Sequence, residues 1–102
     1  MVYNKRVIIT EIITRRGIKP HYSGFNYLVE SVEYLIDNNL VFKRVPLSKE
    51  LYPQIAANFG VSSYCIERSI RNAVEHTTVY ETVGKLIKSV ALECYFEIAK
   101  QS

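Results

Sequence analysis

Apolar residues recur every three or four positions along most of the chain, a periodicity typical of amphipathic helices. The pattern predicts an all-α fold of five or six helices, compact and without strands. A first helix is predicted to begin at the cap residue Asn4 and to end near Arg16. Gly17 suits the left-handed position that follows a helix, and Pro20 prevents the helix from continuing.

A second helix is predicted from a cap at Ser23 to about Asp37, where Asn38 and Asn39 break the pattern. Residues 41–45 then alternate apolar and basic side chains, and we expect them to form a loop. The second and third helices are therefore joined by a basic segment.

Two helices separated by a tight turn are predicted in the middle of the chain, over about residues 48–76. The first follows a cap at Ser48, and it either kinks at Pro53 or begins there, since proline fits only the first turn of a helix. Gly60 ends it, because glycine adopts the left-handed conformation without strain. The spacing is that of a helix-turn-helix, the motif with which many proteins read DNA.

The second helix of this pair has an apolar face and a polar face. Ser62 or Ser63 can cap it, and the apolar face recurs at helical spacing: Ile66, Ile70, Ala73 and Val74. The polar face carries the candidate base-contacting residues: Glu67, Arg68, Arg71 and Asn72. Arginine pairs with guanine in the major groove, asparagine suits adenine, and glutamate accepts from cytosine. The other interpretation is a solvated face, on which Glu67 and Arg71 have the spacing of an ion pair.

The last quarter of the chain is less regular. Thr77-Thr78 and Gly84 interrupt a series of apolar residues that otherwise recur at helical spacing. This segment is predicted to be one broken helix or two short helices.

Composition limits the possible functions without identifying one. The chain has 102 residues, which suits one helical domain spanning residues 1–102. The formal net charge of +3 permits binding to nucleic acid, and the cations are clustered: Lys5/Arg6, Arg15/Arg16/Lys19, Lys43/Arg44 and Arg68/Arg71. The sequence has no phosphate-binding glycine loop, no nucleophile elbow and no paired carboxylates in an apolar setting, so no enzymatic activity is predicted.

The cysteines and the hydropathy of the chain indicate a cytoplasmic protein. No targeting segment is visible, and no apolar stretch approaches the ~20 residues that span a bilayer, so no membrane contact is expected. Cys65 and Cys94 are therefore interpreted as reduced thiols. Together with His21 and His76 they lack the close ligand spacing of zinc sites, so neither a metal nor another cofactor is predicted.

Three stretches of the sequence resemble one known family. They are Ile12-Ile-Thr-Arg-Arg-Gly-Ile-Lys-Pro-His21, Leu51-Tyr-Pro-Gln-Ile-Ala-Ala-Asn-Phe59 and Ile66-Glu-Arg-Ser-Ile-Arg71. Over about residues 8–76 the chain is similar to the C-terminal DNA-binding effector domain of the stage-zero sporulation protein A family of response regulators. The resemblance implies a helical domain that binds double-stranded DNA, regulates transcription and reads bases with Glu67, Arg68 and Arg71.

Two positions depart from the family's pattern. An arginine that helps to hold the DNA backbone is replaced by Cys65, and a histidine after Arg71 is replaced by Asn72. We still expect Asn72 to contact bases. Contacts to the DNA backbone are expected from the start of the recognition helix: Ser62, Ser63 and Tyr64. The missing arginine predicts weaker DNA binding than in the family's relatives.

Double-stranded DNA is the principal partner that the sequence predicts. RNA polymerase, and a second copy of the chain as a homodimer on DNA, are further candidate partners. The alternative is a protein-interaction module on the same fold, such as an antirepressor or a degenerate paralogue. The family usually joins this domain to a phosphate-accepting receiver, for which 102 residues leave no room, so we expect a stand-alone homologue or an excised domain.

Overall fold

The helical periodicity of the sequence corresponds to five α-helices in the structure, a computed structural model that describes residues 4–77 and 82–101. A short π-helical turn precedes the third helix, and these described residues contain no strand. The elements are α1 (Lys5–Arg15), α2 (Ser23–Asp37), the π-helical turn (Leu47–Leu51), α3 (Tyr52–Phe59), α4 (Ser63–Glu75) and α5 (Val83–Gln101). The predicted all-α fold is confirmed.

Local chemistry fixes both ends of α1. The side-chain oxygen of Asn4 accepts hydrogen bonds from the backbone N–H groups of Arg6 and Val7, at 2.9 and 3.3 Å. After the helix, Gly17 has a φ of +94°, and Ile18 returns to the core. The predicted cap and the predicted turn are both confirmed.

The start of α2 differs from the prediction, and its end agrees. Ser23 is the first helical residue rather than the cap, a position held by Tyr22 without any side-chain hydrogen bond. The ring of Tyr22 stacks on His76 with centroids 5.0 Å apart, so packing against a distant residue, and not a hydroxyl cap, fixes this helix start. At the other end Asn39 breaks the helix with a φ of +56°.

The π-helical turn explains how the chain accommodates Pro53. The turn follows Pro46, and no side-chain cap is present there, so the predicted cap at Ser48 is wrong. The carbonyl of Pro46 accepts the N–H groups of both Glu50 and Leu51, which are the first hydrogen bonds of the turn itself. Pro53 then falls in the first turn of α3, where its missing N–H costs no helical hydrogen bond.

The last helix, α5, is continuous. Gly84 lies in its first turn and does not interrupt it, so the predicted break is wrong, whereas Thr78 lies outside the described residues. A helical glycine costs about 1 kcal/mol relative to alanine. The buried apolar residues of α5 outweigh that cost: Leu86, Ile87, Val90, Ala91 and Cys94.

One hydrophobic core joins all five helices, with α2 in contact with each of the others. α2 and α4 approach each other closely at Gly24. A Cβ added to Gly24 would lie 2.2 Å from the backbone oxygen of Ser69, so the two helices meet backbone to backbone. In residues 4–77 and 82–101, no helix combines the length and the apolar character that crossing a membrane requires.

Candidate nucleic-acid interface

A tight turn centred on Gly60 connects α3 to α4. Gly60 has a φ of +65°, as predicted, and the next N–H, of Val61, donates to the carbonyl oxygen of Ala56 at 3.1 Å. The hydroxyl oxygen of Ser62 then accepts the N–H of Cys65 at 3.1 Å and caps α4. The angle between α3 and α4 is therefore set by a left-handed glycine and a serine cap, both of which are local features of the sequence.

The two faces of α4 are oriented as the periodicity predicts. The apolar face is buried: Ile66, Ile70, Ala73 and Val74. The four candidate base-contacting residues lie together on the outward side, where Arg68, Arg71 and Asn72 are exposed and Glu67 is partly exposed. The outward side also forms a shallow concavity of about 540 Å³, to which Arg68, Arg71 and Asn72 contribute.

Glu67 and Arg71 form the ion pair that their spacing allows, with Oε1 and Nη1 3.1 Å apart. Both side chains remain about half exposed, so the pair contributes only a few tenths of a kcal/mol to stability. A guanidinium has five N–H donors, and the pair engages one of them in a hydrogen bond. The ion pair thus orients Arg71 and leaves most of its donors free for a ligand.

Arg68 differs from Arg71, because it makes no ion pair or hydrogen bond through its side chain with the residues that the structure describes. Asn72 is also exposed, and its backbone carbonyl accepts a hydrogen bond from Nδ1 of His76 at 2.7 Å. That bond holds the end of α4 and leaves the Asn72 amide available. One cation and one amide on this face are therefore free to meet a partner.

Two tyrosines outside α4 interact electrostatically with residues of this helix. Tyr52, at the start of α3, is buried, which raises the pKa of its hydroxyl to about 12. The charge of Glu67 raises this pKa further and that of Arg71 lowers it, so the Tyr52 hydroxyl lies within electrostatic reach of the polar face. Burial also raises the pKa of the Tyr27 hydroxyl, and the nearby Cys65 side chain raises it further. Cys65 is thus a half-buried free thiol whose side chain lies near Tyr27.

The first turn of α4 provides the candidate contacts to the DNA backbone. Tyr64 is 63% exposed, Ser62 is exposed and Ser63 is partly exposed. The unpaired N–H groups at a helix N-terminus favour an anion such as a phosphate. The hydroxyl of Ser62 accepts the capping bond and can still donate its own proton.

Two contributors to the concavity are not evident from the pattern of α4 alone. Ser23, at the N-terminus of α2, lines it because the contact between Gly24 and Ser69 brings the two helices together. Glu75 lines its other end and adds a negative charge. No local sequence signal indicates this role of Ser23, because it depends on the tertiary contact between α2 and α4.

The cationic clusters seen in the sequence differ in how they are paired. The cations of α1 and the next residue, Arg16, pair with carboxylates of α2 or α5: Lys5 with Asp37, Arg6 with Glu30 and Glu33, and Arg15 and Arg16 with Glu93. The carboxylates offset the charges of Lys5 and Arg6, whereas Arg15 and Arg16 share the one carboxylate of Glu93. Lys43 and Arg44 are exposed, and their side chains have no ion pair within the described ranges.

The cysteines and histidines do not assemble into a ligand cluster. Cys65 and Cys94 are free thiols, and burial raises the pKa of Cys94 to about 12. His21 and His76 both pack against the ring of Tyr22. No group of three or more potential metal ligands comes together in the part of the chain that the structure describes.

An all-α fold with a helix-turn-helix at its centre defines the class of this chain, a helical DNA-binding domain of transcription regulators. A sequence model of the family described as "Sporulation initiation factor Spo0A C terminal" matches residues 9–94. The chain belongs to this family of DNA-binding effector domains. The resemblance seen in residues 8–76 is confirmed, and the match extends into α5.

Proposed function

We propose that the chain recognises specific sites on double-stranded DNA by inserting α4 into the major groove, and that it regulates transcription from those sites. The observation that carries the proposal is the outward face of α4, with a free Arg68 beside the tethered Arg71. The close contact with α2 at Gly24 holds this face in place. DNA binding at the level of the family supports the proposal.

Four residues carry base recognition in this proposal: Glu67, Arg68, Arg71 and Asn72. A bidentate contact between a side chain and a base is worth about 1–3 kcal/mol of discrimination. Arg68 is available without breaking any bond to a described residue, whereas Arg71 keeps or exchanges its bond to Glu67. We therefore assign the largest share of base discrimination to Arg68.

Positioning on the backbone falls to the first turn of α4: Ser62, Ser63 and Tyr64. The helix N-terminus and the three hydroxyl groups of these residues supply hydrogen-bond donors of the kind that bind phosphate. Cys65 supplies no charge where the family has an arginine, so weaker binding than in the relatives is expected. These contacts fix the register of α4 and do not select its sequence.

The interaction-module alternative requires an apolar surface on α4. Of the large exposed hydrophobic side chains, α4 carries only Tyr64 in the described part of the chain. This favours DNA as the partner of α4. Contacts with RNA polymerase, pairing of two copies on DNA and a cytoplasmic location stay predictions, as does the lack of enzymatic activity.

The proposed function is tested by selecting binding sites from a pool of random duplexes and titrating the recovered site and an unrelated duplex by fluorescence anisotropy. We expect one preferred sequence and an affinity that falls linearly with salt on a log–log scale. A second titration at higher salt separates the electrostatic part from the base-specific part. Absence of a preferred sequence, or binding that does not respond to salt, would contradict the proposal.

A further inference from the structure

A second concave surface, of about 800 Å³, lies between the loop before α3 and the first turn of α5. Four cations from these two elements line it: Lys43, Arg44, Lys85 and Lys88. No carboxylate among the described residues shares the lining. We call these four residues and the concavity between them the flanking cationic surface. Like charges repel, so such a cluster is favourable mainly when an anion is bound.

The loop before α3 is held against α5 by a hydrogen bond and an apolar contact. Nζ of Lys88 donates to the backbone carbonyl oxygen of Lys43 at 2.7 Å. Leu47 packs over Gly84, where an added Cβ would be 3.6 Å from its Cδ1 atom. The loop and the helix thus hold their cations in one place, which reduces the entropy lost when an anion binds.

The remaining cations of this surface are available for a ligand. Lys43, Arg44 and Lys85 are exposed, and their side chains have no ion pair or hydrogen bond with residues in the described ranges. The cations of α1, in contrast, are all paired. Of the cationic clusters outside α4, this one is therefore the strongest candidate for contact with a polyanion.

The π-helical turn connects the flanking cationic surface to α3, which packs against the recognition helix α4. Leu47 lines it and also begins the π-helical turn that leads directly into Tyr52. Tyr52 lies beneath α4, within electrostatic reach of Glu67 and Arg71.

We propose that the flanking cationic surface binds backbone phosphates of the DNA strand that borders the groove occupied by α4. This inference rests on the proposed function. Three of the four cations are lysines, which bind phosphate as point charges and are depleted in protein–protein interfaces. An acidic protein surface is therefore the less favoured occupant. The contacts add affinity equally on every sequence and leave base reading to α4.

The test compares single charge removals on the same domain: Lys43→Gln, Arg44→Gln and Lys85→Gln, with Lys100→Gln as the matched control. Lys85 and Lys100 are exposed lysines of the same helix, about 22 Å apart at 1.5 Å per residue. Anisotropy titrations on a specific and an unrelated duplex give the log–log salt slope of each variant, and circular dichroism verifies folding.

We expect each of the three variants to reduce the magnitude of the salt slope by about 0.9 on both duplexes, as loss of one phosphate contact requires. Its deficit in affinity should shrink about threefold as salt rises from about 50 to about 200 mM. Lys100→Gln should match the wild type. The charge reversal Lys85→Glu should weaken binding further than Lys85→Gln while the domain stays folded.

Two results would overturn the inference in different ways. If the wild type binds DNA with a salt-dependent affinity and all three variants keep its slope, DNA does not occupy the flanking cationic surface, and the proposed function stands. An acidic protein partner would give this first result. If the wild type shows no salt-dependent DNA binding, the proposed function fails and this inference fails with it.

Discussion

α4 and α5 both present exposed side chains, but the two helices are attached to the fold in different ways. α4 meets α2 backbone to backbone at Gly24, and its outward side is polar. α5 packs through side chains and exposes aromatic rings outward: Tyr95 is 39% and Phe96 54% exposed. These rings meet Phe42, from the loop before α3, at centroid distances of 5.1 and 6.2 Å.

The difference indicates where the fold tolerates change. No atom can be added between Gly24 and Ser69 without moving a backbone, whereas Gly84 of α5 has ordinary van der Waals room beside Leu47. A helix that reads DNA must be held within a fraction of an ångström, because hydrogen bonds to bases depend steeply on distance and angle. We therefore expect substitutions around α4 to lower the free energy of unfolding more than equivalent substitutions around α5.

The largest effect is expected for Gly24→Ala. Its Cβ would lie 2.2 Å from the backbone oxygen of Ser69, so α4 must shift away from α2. Overpacking of this kind costs roughly 3 kcal/mol, measured as the free energy of unfolding in urea. A loss smaller than about 1 kcal/mol would mean that α2 and α4 separate easily and that α4 is not rigidly mounted.

Gly60→Val should cost about 1–2 kcal/mol, because a β-branched residue is strained at the φ of +65° found there. Space is not the reason, since a Cβ at Gly60 would have no neighbour within 4 Å. Gly60→Asn is the matched control, because asparagine tolerates the left-handed region. Its melting temperature should fall less than that of the valine variant. Equal melting temperatures for the valine variant and the wild type would contradict a left-handed backbone at Gly60.

Cys65→Arg should raise affinity for specific and unrelated duplexes alike and steepen the salt slope by about 0.9, as one added phosphate contact would. The half-buried position of Cys65 at the rim of α4 leaves an arginine room to extend toward solvent. Circular dichroism first confirms that the variant folds, since Cys65 is half buried. A folded variant with an unchanged slope would show that this part of α4 does not approach phosphates.

The smallest effect is expected for Gly84→Ala, which should stabilise the domain by about 0.5 kcal/mol because glycine is the poorer helix former. The new Cβ would lie 3.6 Å from Cδ1 of Leu47, an ordinary contact. Urea unfolding of this variant is the counterpart to that of Gly24→Ala. Destabilisation instead would show that the start of α5 is packed as tightly as α4.

Helix ends that depend on neighbouring residues were predictable from the sequence. The turn at Gly60 and the cap at Ser62 require only a left-handed backbone and a short-range hydrogen bond. The outward face of α4 was predictable for a similar reason, since periodicity alone determines which side of a helix is apolar. The roles of its four polar residues on DNA remain predictions.

Features that depend on distant residues were not predictable in the same way. Ser23 is not a cap because Tyr22 stacks on His76, a contact between residues far apart in sequence. The continuity of α5 past Gly84 results from burial in the common core, which no local pattern reports. The pairing of the α1 cations, which decides which clusters remain free, also requires the tertiary fold.

The most direct test of DNA reading by α4 is the affinity of Arg68→Ala for the preferred duplex and for an unrelated one, measured by anisotropy at a single salt concentration. We predict a loss of about 1–3 kcal/mol on the preferred site and a much smaller loss on the unrelated duplex. Lys100→Ala, a charge removal at the far end of α5, should change neither. Equal losses on the two duplexes would make Arg68 a phosphate contact and would contradict base reading by α4.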